Sequence, residues 1–387
     1  MKSAAIKTAV ILSVVLLAGC QTIGGWFGRD DTEPPAELVE FDASISVEEV
    51  WSTRVGRGLD RKAPRLRPHH DDGRIWVADH RGRIEALDVE TGRTVERFNL
   101  DMELSGGPFV EDDLLLIGAI DGTLVAMDWT SGEELWRSRL SSEIMSRPTL
   151  HDGIVIARSI DGRTFGFDSS DGERLWTHDR TVPTLTLRGQ SDPLARGGVV
   201  FLGHDDGSVS ALNVDSGEAR WEERLTSAEG RTELDRLADV DGSLYVVGTD
   251  LFAATYHGRL VAMALESGRT LWSQEIASHS GVVVQRTRLA TTDKDDNLWL
   301  VDRRNGSDLW RKDSMVRRQL TRPSFHGDYV IVGDKEGYLH WIDQESGEFA
   351  ARERAGRNRF TGPPLIVRGM AITHAANGSV SAWRIDS

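Results

Sequence analysis

The strongest constraint on this chain is a unit of about 38 to 51 residues that occurs eight times, most clearly as IDGTLVAMDWTSGEELWR (Ile120–Arg137) and DDGSVSALNVDSGEARWE (Asp205–Glu222). Its frame is x-D-G-x-Φ-x-A-Φ-D-x-x-[S/T]-G-x-x-Φ-W, with Φ apolar. The first Gly falls at Gly82, Gly122, Gly162, Gly207, Gly258, Gly337 and Gly378, and Asp296 takes its place in the remaining copy. A repeat of this length is one supersecondary unit. D-G and S-G pairs mark tight turns, and the residues between them alternate apolar and polar, so each unit is a small antiparallel meander. A lone meander cannot bury its apolar face, so the units pack on one another in a stack or a ring.

The two ends of the array choose the ring. VEEVWSTRVG (Val47–Gly56) carries the closing Trp without a preceding D-G turn, and NGSVSAWRIDS (Asn377–Ser387) stops before its own Trp. Two half-units complete one unit if the first strand pairs with the last sheet, which also removes an exposed sheet edge. The expected fold is all-β: an eight-bladed β-propeller of four-stranded antiparallel blades over residues 43–387. The closing Trp recurs as Trp51, Trp136, Trp176, Trp221, Trp272 and Trp310, with Glu96 and Ala351 in the other two copies. A large aromatic at one place in each blade is expected to dock that blade on the next.

Lys2 and Lys7, the apolar run Ala9–Ala18 and then Leu17-Ala18-Gly19-Cys20 resemble a bacterial lipoprotein signal with its lipobox. The run is too short to span a bilayer. The resemblance implies removal of residues 1–19 and lipidation of Cys20. With Gln21 rather than Asp after the Cys, it implies sorting to the outer membrane with the propeller in the periplasm, held by the lipid anchor alone. Cys20 is the only cysteine, which excludes an internal disulfide and a cysteine-rich metal site. Residues 20–42 are rich in Gly, Asp, Glu and Pro and read as a flexible tether of about 25 Å reach. The net charge of −15 makes nucleic acid and anionic lipid surfaces poor partners.

The usual phosphate, zinc and nucleophile signatures are missing, so neither a catalytic site nor a cofactor is expected. His69-His70-Asp71-Asp72 gathers metal-capable side chains at a D-D-G turn, but adjacent strand residues point to opposite faces and chelate poorly. Asp88, Asp128, Asp168 and Asp302 recur at one frame position before a turn and are expected to be turn formers.

Residues that the repeat does not need carry more information about function. Most connectors from the Trp position to the next turn Gly span 24 to 27 residues, whereas Trp51–Gly82 and Trp176–Gly207 span 31 and Trp221–Gly258 spans 37. Extra length here falls on one face of the ring, where propellers bind. The second and third long connectors are neighbours. They contain Leu185 and Leu187 beside Arg188, then Arg231, Asp235, Arg236, Asp239 and Asp241, the composition of a protein-binding spot. The two leucines are alternatively ordinary strand residues facing the core. Arginine gathers in other connectors, including Arg65, Arg67, Arg147, Arg318, Arg322 and Arg359. These form a basic ring for an acidic partner if the loops share a face, or plain solvated charge.

Lipobox, tether, eight Trp-closed repeats and the stretches TLTLRGQSDP and ELDRLADVD together resemble the BamB family, the propeller lipoproteins of the outer-membrane β-barrel assembly machinery. The resemblance covers the whole chain. It implies a non-enzymatic scaffold that binds the periplasmic POTRA domains of BamA, and through BamA the other lipoproteins of the complex, and assists folding of outer-membrane β-barrel proteins. Unfolded barrel substrates are a further possible partner, through strand addition at the blade edges. The family's BamA-contact residues match Leu185, Leu187, Arg188, Asp239 and Asp241, with Arg231, Asp235 and Arg236 at the periphery. Single repeats also look like those of pyrroloquinoline quinone dehydrogenases, which leaves a quinoprotein oxidoreductase as one alternative and an envelope sugar- or peptide-binding propeller as another.

Overall fold

The computed structural model describes residues 33–59, 65–183, 191–226, 239–240, 242–256 and 258–386. Cys20 and the signal segment lie outside them, as do Leu185, Leu187, Arg188, Arg231, Asp235, Arg236 and Asp241. The described residues contain strands and no helix, arranged as eight sheets, each built on a four-stranded antiparallel blade; one carries a fifth, short parallel strand, and one joins the first strand of the chain to its last three. This is the expected propeller. The ring closes as anticipated: β33 (Ser379–Ile385) pairs with β1 (Val47–Arg54), from Val47 opposite Ile385 to Arg54 opposite Ser379. The N-terminal strand is therefore the outermost strand of the eighth blade, followed inward by β33, β32 (Met370–His374) and β31 (Leu365–Val367).

The apolar cores lie between blades. Ile154, Ile156 and Trp176 of the third blade meet Val200, Leu202 and Leu212 of the fourth. The closing Trp performs the docking predicted for it. The indole N–H of Trp51, Trp136, Trp176, Trp221, Trp272 and Trp310 donates to a backbone carbonyl of the next blade, at Val89, Ser169, Val214, Leu265, Arg303 and Gln344, over 2.7–3.0 Å. Each ring also lies on the glycine of that blade's turn. A Cβ at Gly217 would come 2.5 Å from the Trp176 ring, and Gly217 has φ +68°, so the turn needs glycine twice over.

One local feature departs from simple alternation. In all eight blades the residue before the Trp position is a β-bulge, unpaired between the third and fourth strands. The extra residue turns the Trp toward the neighbouring blade and, except at the buried Ala350, points its own side chain away from the seam. Val95, Leu135, Leu175, Leu271 and Leu309 are exposed for this reason.

The repeat aspartates are turn formers, as expected. Asp128 accepts the N–H groups of Thr130 and Ser131 at 2.8 and 3.0 Å, and Asp88, Asp168 and Asp302 accept those of Thr91, Ser170 and Arg304 at 2.8–2.9 Å. The Arg304 guanidinium and its backbone N–H hold the Asp302 carboxyl down at about 2.

Residues 36–42, read from composition as part of the tether, pack on the propeller. Residues from Ala36 onward belong to the propeller unit and form a strap along the outer strand of the seventh blade, β30 (Phe349–Arg354). Ala36 N–H donates to Val316 at 3.0 Å, Phe41 stacks on Phe349 at 5.2 Å, and Ser44 N–H donates to Ala350 at 2.9 Å.

Buried neutral histidines make this fold acid-sensitive. His374 is buried, and desolvation pushes its imidazole from 6.5 down to about 4, against a backbone hydrogen bond that favours the charged form. The unfolded chain takes up that proton between those values while the folded chain does not, so stability rises with pH there and is lost on acidification. His374 alone accounts for about 3 kcal/mol at pH 4. The urea midpoint is expected to fall steadily from pH 7 to 4.5 and to fall less steeply in His374→Asn. A flat profile would contradict this assignment.

Candidate partner-binding face

Described residues from six of the connectors, among them Arg67, Arg147, Asp192, Leu244, Arg322 and Pro363, line one cavity at the centre of the ring. The first long connector crosses to the second blade there: β2 (Arg65–Leu66) pairs in parallel with β7 (Leu104–Glu111), Arg65 opposite Gly106 and Leu66 opposite Gly107. The other two long connectors enter the described structure at Ser191 and Asp239, and buried polar contacts hold both entry points.

Ser191 is buried. Its hydroxyl accepts the N–H of Gly203 at 2.9 Å, and its carbonyl accepts Arg158 Nη1 at 2.9 Å. Arg158 is fully buried, and its Nη2 lies 3.5 Å from His204 Nδ1. His204 Nε2 pairs with the Ser210 hydroxyl at 2.7 Å. Burial, then the positive charge of Arg158, keeps His204 neutral, well below its ordinary pKa. The last residue of the TLTLRGQS stretch is thus fastened to the third and fourth blades by a buried guanidinium.

Asp239 is fully buried. Its burial suits a side chain that holds the connector in place. Asp239, Val240 and Ser243 tie three blades together. Val240 N–H donates to His204 at 3.0 Å, the Asp239 carbonyl accepts Tyr256 N–H at 3.0 Å, and Ser243 forms a parallel bridge with Gly281. A Cβ on Gly242 would lie 2.3 Å from the Gly281 backbone, so the D-V-D-G run needs its glycine here. Asp205 stands between the two entry points. Burial pushes its carboxyl up to about 6; Arg158 opposes this, while Asp239 and Asp206 add to it.

Arg158 was missed in the sequence, although a signal existed. It ends the second strand of its blade at a place where other blades hold Ala78, Gly118, Gly203, Ala254, Thr292, Gly333 and His374. A charged residue at an otherwise small or neutral repeat position is a departure that the repeat does not require. His69 Nε2 lies 2.7 Å from the Val110 carbonyl, an ordinary core contact for the histidine of the HHDD cluster. Among the described residues, no group of three or more His, Cys, Asp or Glu side chains is placed to hold a metal ion.

Comparison with known proteins agrees with this architecture. The profile of the family described as "Outer membrane protein assembly factor BamB" matches residues 80–312 and 300–387. Proteins of that description from Pseudomonas aeruginosa and Xanthomonas campestris pv. campestris are 44% and 39% identical to this chain. The alignments cover 98% and 97% of it and 99% and 96% of those proteins. The crystal structure of BamB from Moraxella catarrhalis superposes with a TM-score of 0.80 at 26% identity, over 88% of this chain and all of that one (100%). The quinohemoprotein alcohol dehydrogenase of Comamonas testosteroni superposes with a TM-score of 0.65 at 13% identity, over 87% of this chain and 76% of that one, a likeness of fold alone. With profile, near full-length relatives and superposed propeller in agreement, this chain belongs to the BamB family of outer membrane protein assembly factors.

Proposed function

We propose that this chain is a non-enzymatic scaffold of the outer-membrane β-barrel assembly machinery, lipidated at Cys20 and facing the periplasm, that binds the POTRA domains of BamA. Family membership supports the scaffold reading over an oxidoreductase, because the relatives carry the assembly-factor description and the dehydrogenase likeness is confined to the fold. The observation that carries the choice of surface is the buried framework at Ser191 and Asp239, which fastens the described ends of both stretches that resemble the family's BamA-contact motifs. In this reading Leu185 and Leu187 pack on an apolar strip of a POTRA domain and Arg188 pairs with an acidic residue. Asp239 holds the connector, and Asp241, with Arg231, Asp235 and Arg236 around it, completes the polar rim.

Reversing one member of a desolvated charge pair costs on the order of 2–5 kcal/mol of binding. BamA is expected to co-purify with the membrane-extracted parent and to be lost from an Arg188→Glu, Asp241→Arg variant whose circular dichroism is unchanged. A parent that brings down no BamA would remove the assembly reading. A variant that binds as tightly as the parent would leave that reading standing and move the interface elsewhere.

A further inference from the structure

Several arginines scattered through the connectors come together at one level of the central channel. Arg67, Arg147 and Arg322 each lie four residues before the end of their blade's innermost strand, β3 (His69–Asp71), β11 (Thr149–His151) and β27 (Ser324–His326). The hairpin registers make these positions equivalent, because Asp71, His151 and His326 all close the first hairpin of their blades. Asp192 holds the same place before β15 (Leu194–Arg196), and the other four blades place two glycines, a serine and a proline there. Three guanidiniums therefore share one carboxylate around a cavity of about 250 Å³, which opens toward a mouth of about 550 Å³ lined by Arg65 and Arg359 as well.

That carboxylate is already engaged. Asp192 Oδ1 accepts the backbone N–H of Arg147 at 2.9 Å, and Oδ2 is 3.5 Å from Arg67 Nη1. Arg147 Nη2 donates to the carbonyls of Arg67 and Pro68 at 2.9 and 3.1 Å, and Arg322 Nη1 makes one long hydrogen bond to Val282 at 3.3 Å. The Nε atoms of Arg67 and Arg147 are buried and have no hydrogen-bond partner among the described residues. Burial, then the neighbouring Arg67, pushes Arg322 down to about 10 even with Asp192 nearby, and burial pushes Arg147 down too. A chain of net charge −15 thus keeps a surplus of cationic donors in its channel, with desolvated charge left uncompensated.

We propose that this arginine tier is a binding site for a polyvalent oxyanion of the phosphate or carboxylate class. Planar guanidinium forks converging from three blades match the paired oxygens of such a group, and the narrow channel concentrates their field. The anion is either free in solution or presented by an acidic polypeptide segment entering from the connector face.

Isothermal titration of the full chain with inorganic phosphate, with citrate and with a short oligoglutamate peptide tests this. At least one probe is expected to bind at one site with a Kd below about 1 mM. Its affinity should fall at least about tenfold in an Arg147→Gln, Arg322→Gln variant and weaken with added salt. Binding of phosphate or citrate identifies a free anion, and binding of the peptide alone identifies a presented one. If the double variant does not fold, Arg322→Gln carries the test, since its side chain gives up a single long hydrogen bond. Failure of all three probes to bind at one site, or equal affinity in parent and variant, overturns the proposal.

Discussion

Trp176→Ala lowers the unfolding free energy of the propeller by about 3–5 kcal/mol, through lost burial and the cavity left behind. Trp176 is buried between the third and fourth blades, donates to Val214 at 2.7 Å and lies on Gly217. Alanine removes the filling of that seam and leaves the Val214 carbonyl without its donor. The neighbouring residue supplies the control. Leu175 is as apolar as its partner in sequence, but the bulge turns it outward at 45% exposure. Leu175→Ala is expected to change stability by no more than about 0.5 kcal/mol. Urea unfolding of the two variants separates docking from general hydrophobicity. A midpoint for Trp176→Ala equal to the parent's would contradict the docking role, as would equal losses in both variants.

The blades, the ring closure and the Trp seams were legible because each rests on a short pattern that repeats: a turn pair, a two-residue alternation and an aromatic at a fixed distance. The exceptions at Glu96 and Ala351 needed the structure. At the first, Phe98 lies against the Gly132 turn, and Trp76 and Trp129 meet edge to face at 5.3 Å, filling the seam from other positions. At the second, the next blade is the one closed by the chain ends, so it offers no glycine turn. Ile45, Val47 and Trp383 pack around Ala351 instead. The bulge was invisible because a single inserted residue changes side-chain direction without changing composition.

The candidate face was legible as extra connector length, and less so in its details. A D-V-D-G run reads as a surface turn, yet Asp239 is buried because three blades converge on that segment. The arginine tier was seen only as a compositional excess. Connector lengths differ between blades, so distance from the Trp hides the common register, which becomes plain only when counted back from the hairpin that each innermost strand closes. Arg318, counted with the same connectors, does not belong to the tier at all.

Arg318 instead anchors the strap, and its loss is the second large effect expected here. Its side chain and that of Asp334 are almost completely buried, with Arg318 Nε 2.7 Å from Asp334 Oδ2. Burial pushes the Asp334 carboxyl up, but the hydrogen bond from His340 leads the contacts that outweigh it and hold the group below its ordinary value. Two arms leave this carboxylate and end on the strap. Arg318 Nη1 donates to the Ala36 carbonyl at 2.7 Å. On the other side His340 Nε2 donates to Asp334 at 3.1 Å, His340 Nδ1 accepts Arg352 Nε at 3.2 Å, and Arg352 Nη1 reaches the Val39 carbonyl at 2.9 Å. Breaking a buried pair from one side leaves an uncompensated charge, so Arg318→Ala is expected to cost about 3–5 kcal/mol. Asp334 is ionised above its ordinary range, so the penalty is full at neutral pH and shrinks as acid protonates the stranded carboxylate. An Arg318→Met, Asp334→Asn double variant should recover part of the loss, because it removes the charge along with its partner. Hydrogen exchange supplies a readout that general destabilisation would not give. The Ala36 amide, bonded to Val316, should lose protection in Arg318→Ala at urea concentrations where the blade strands keep theirs. Full protection of Ala36 in that variant would show that Phe41 and Ser44 hold the strap without the network.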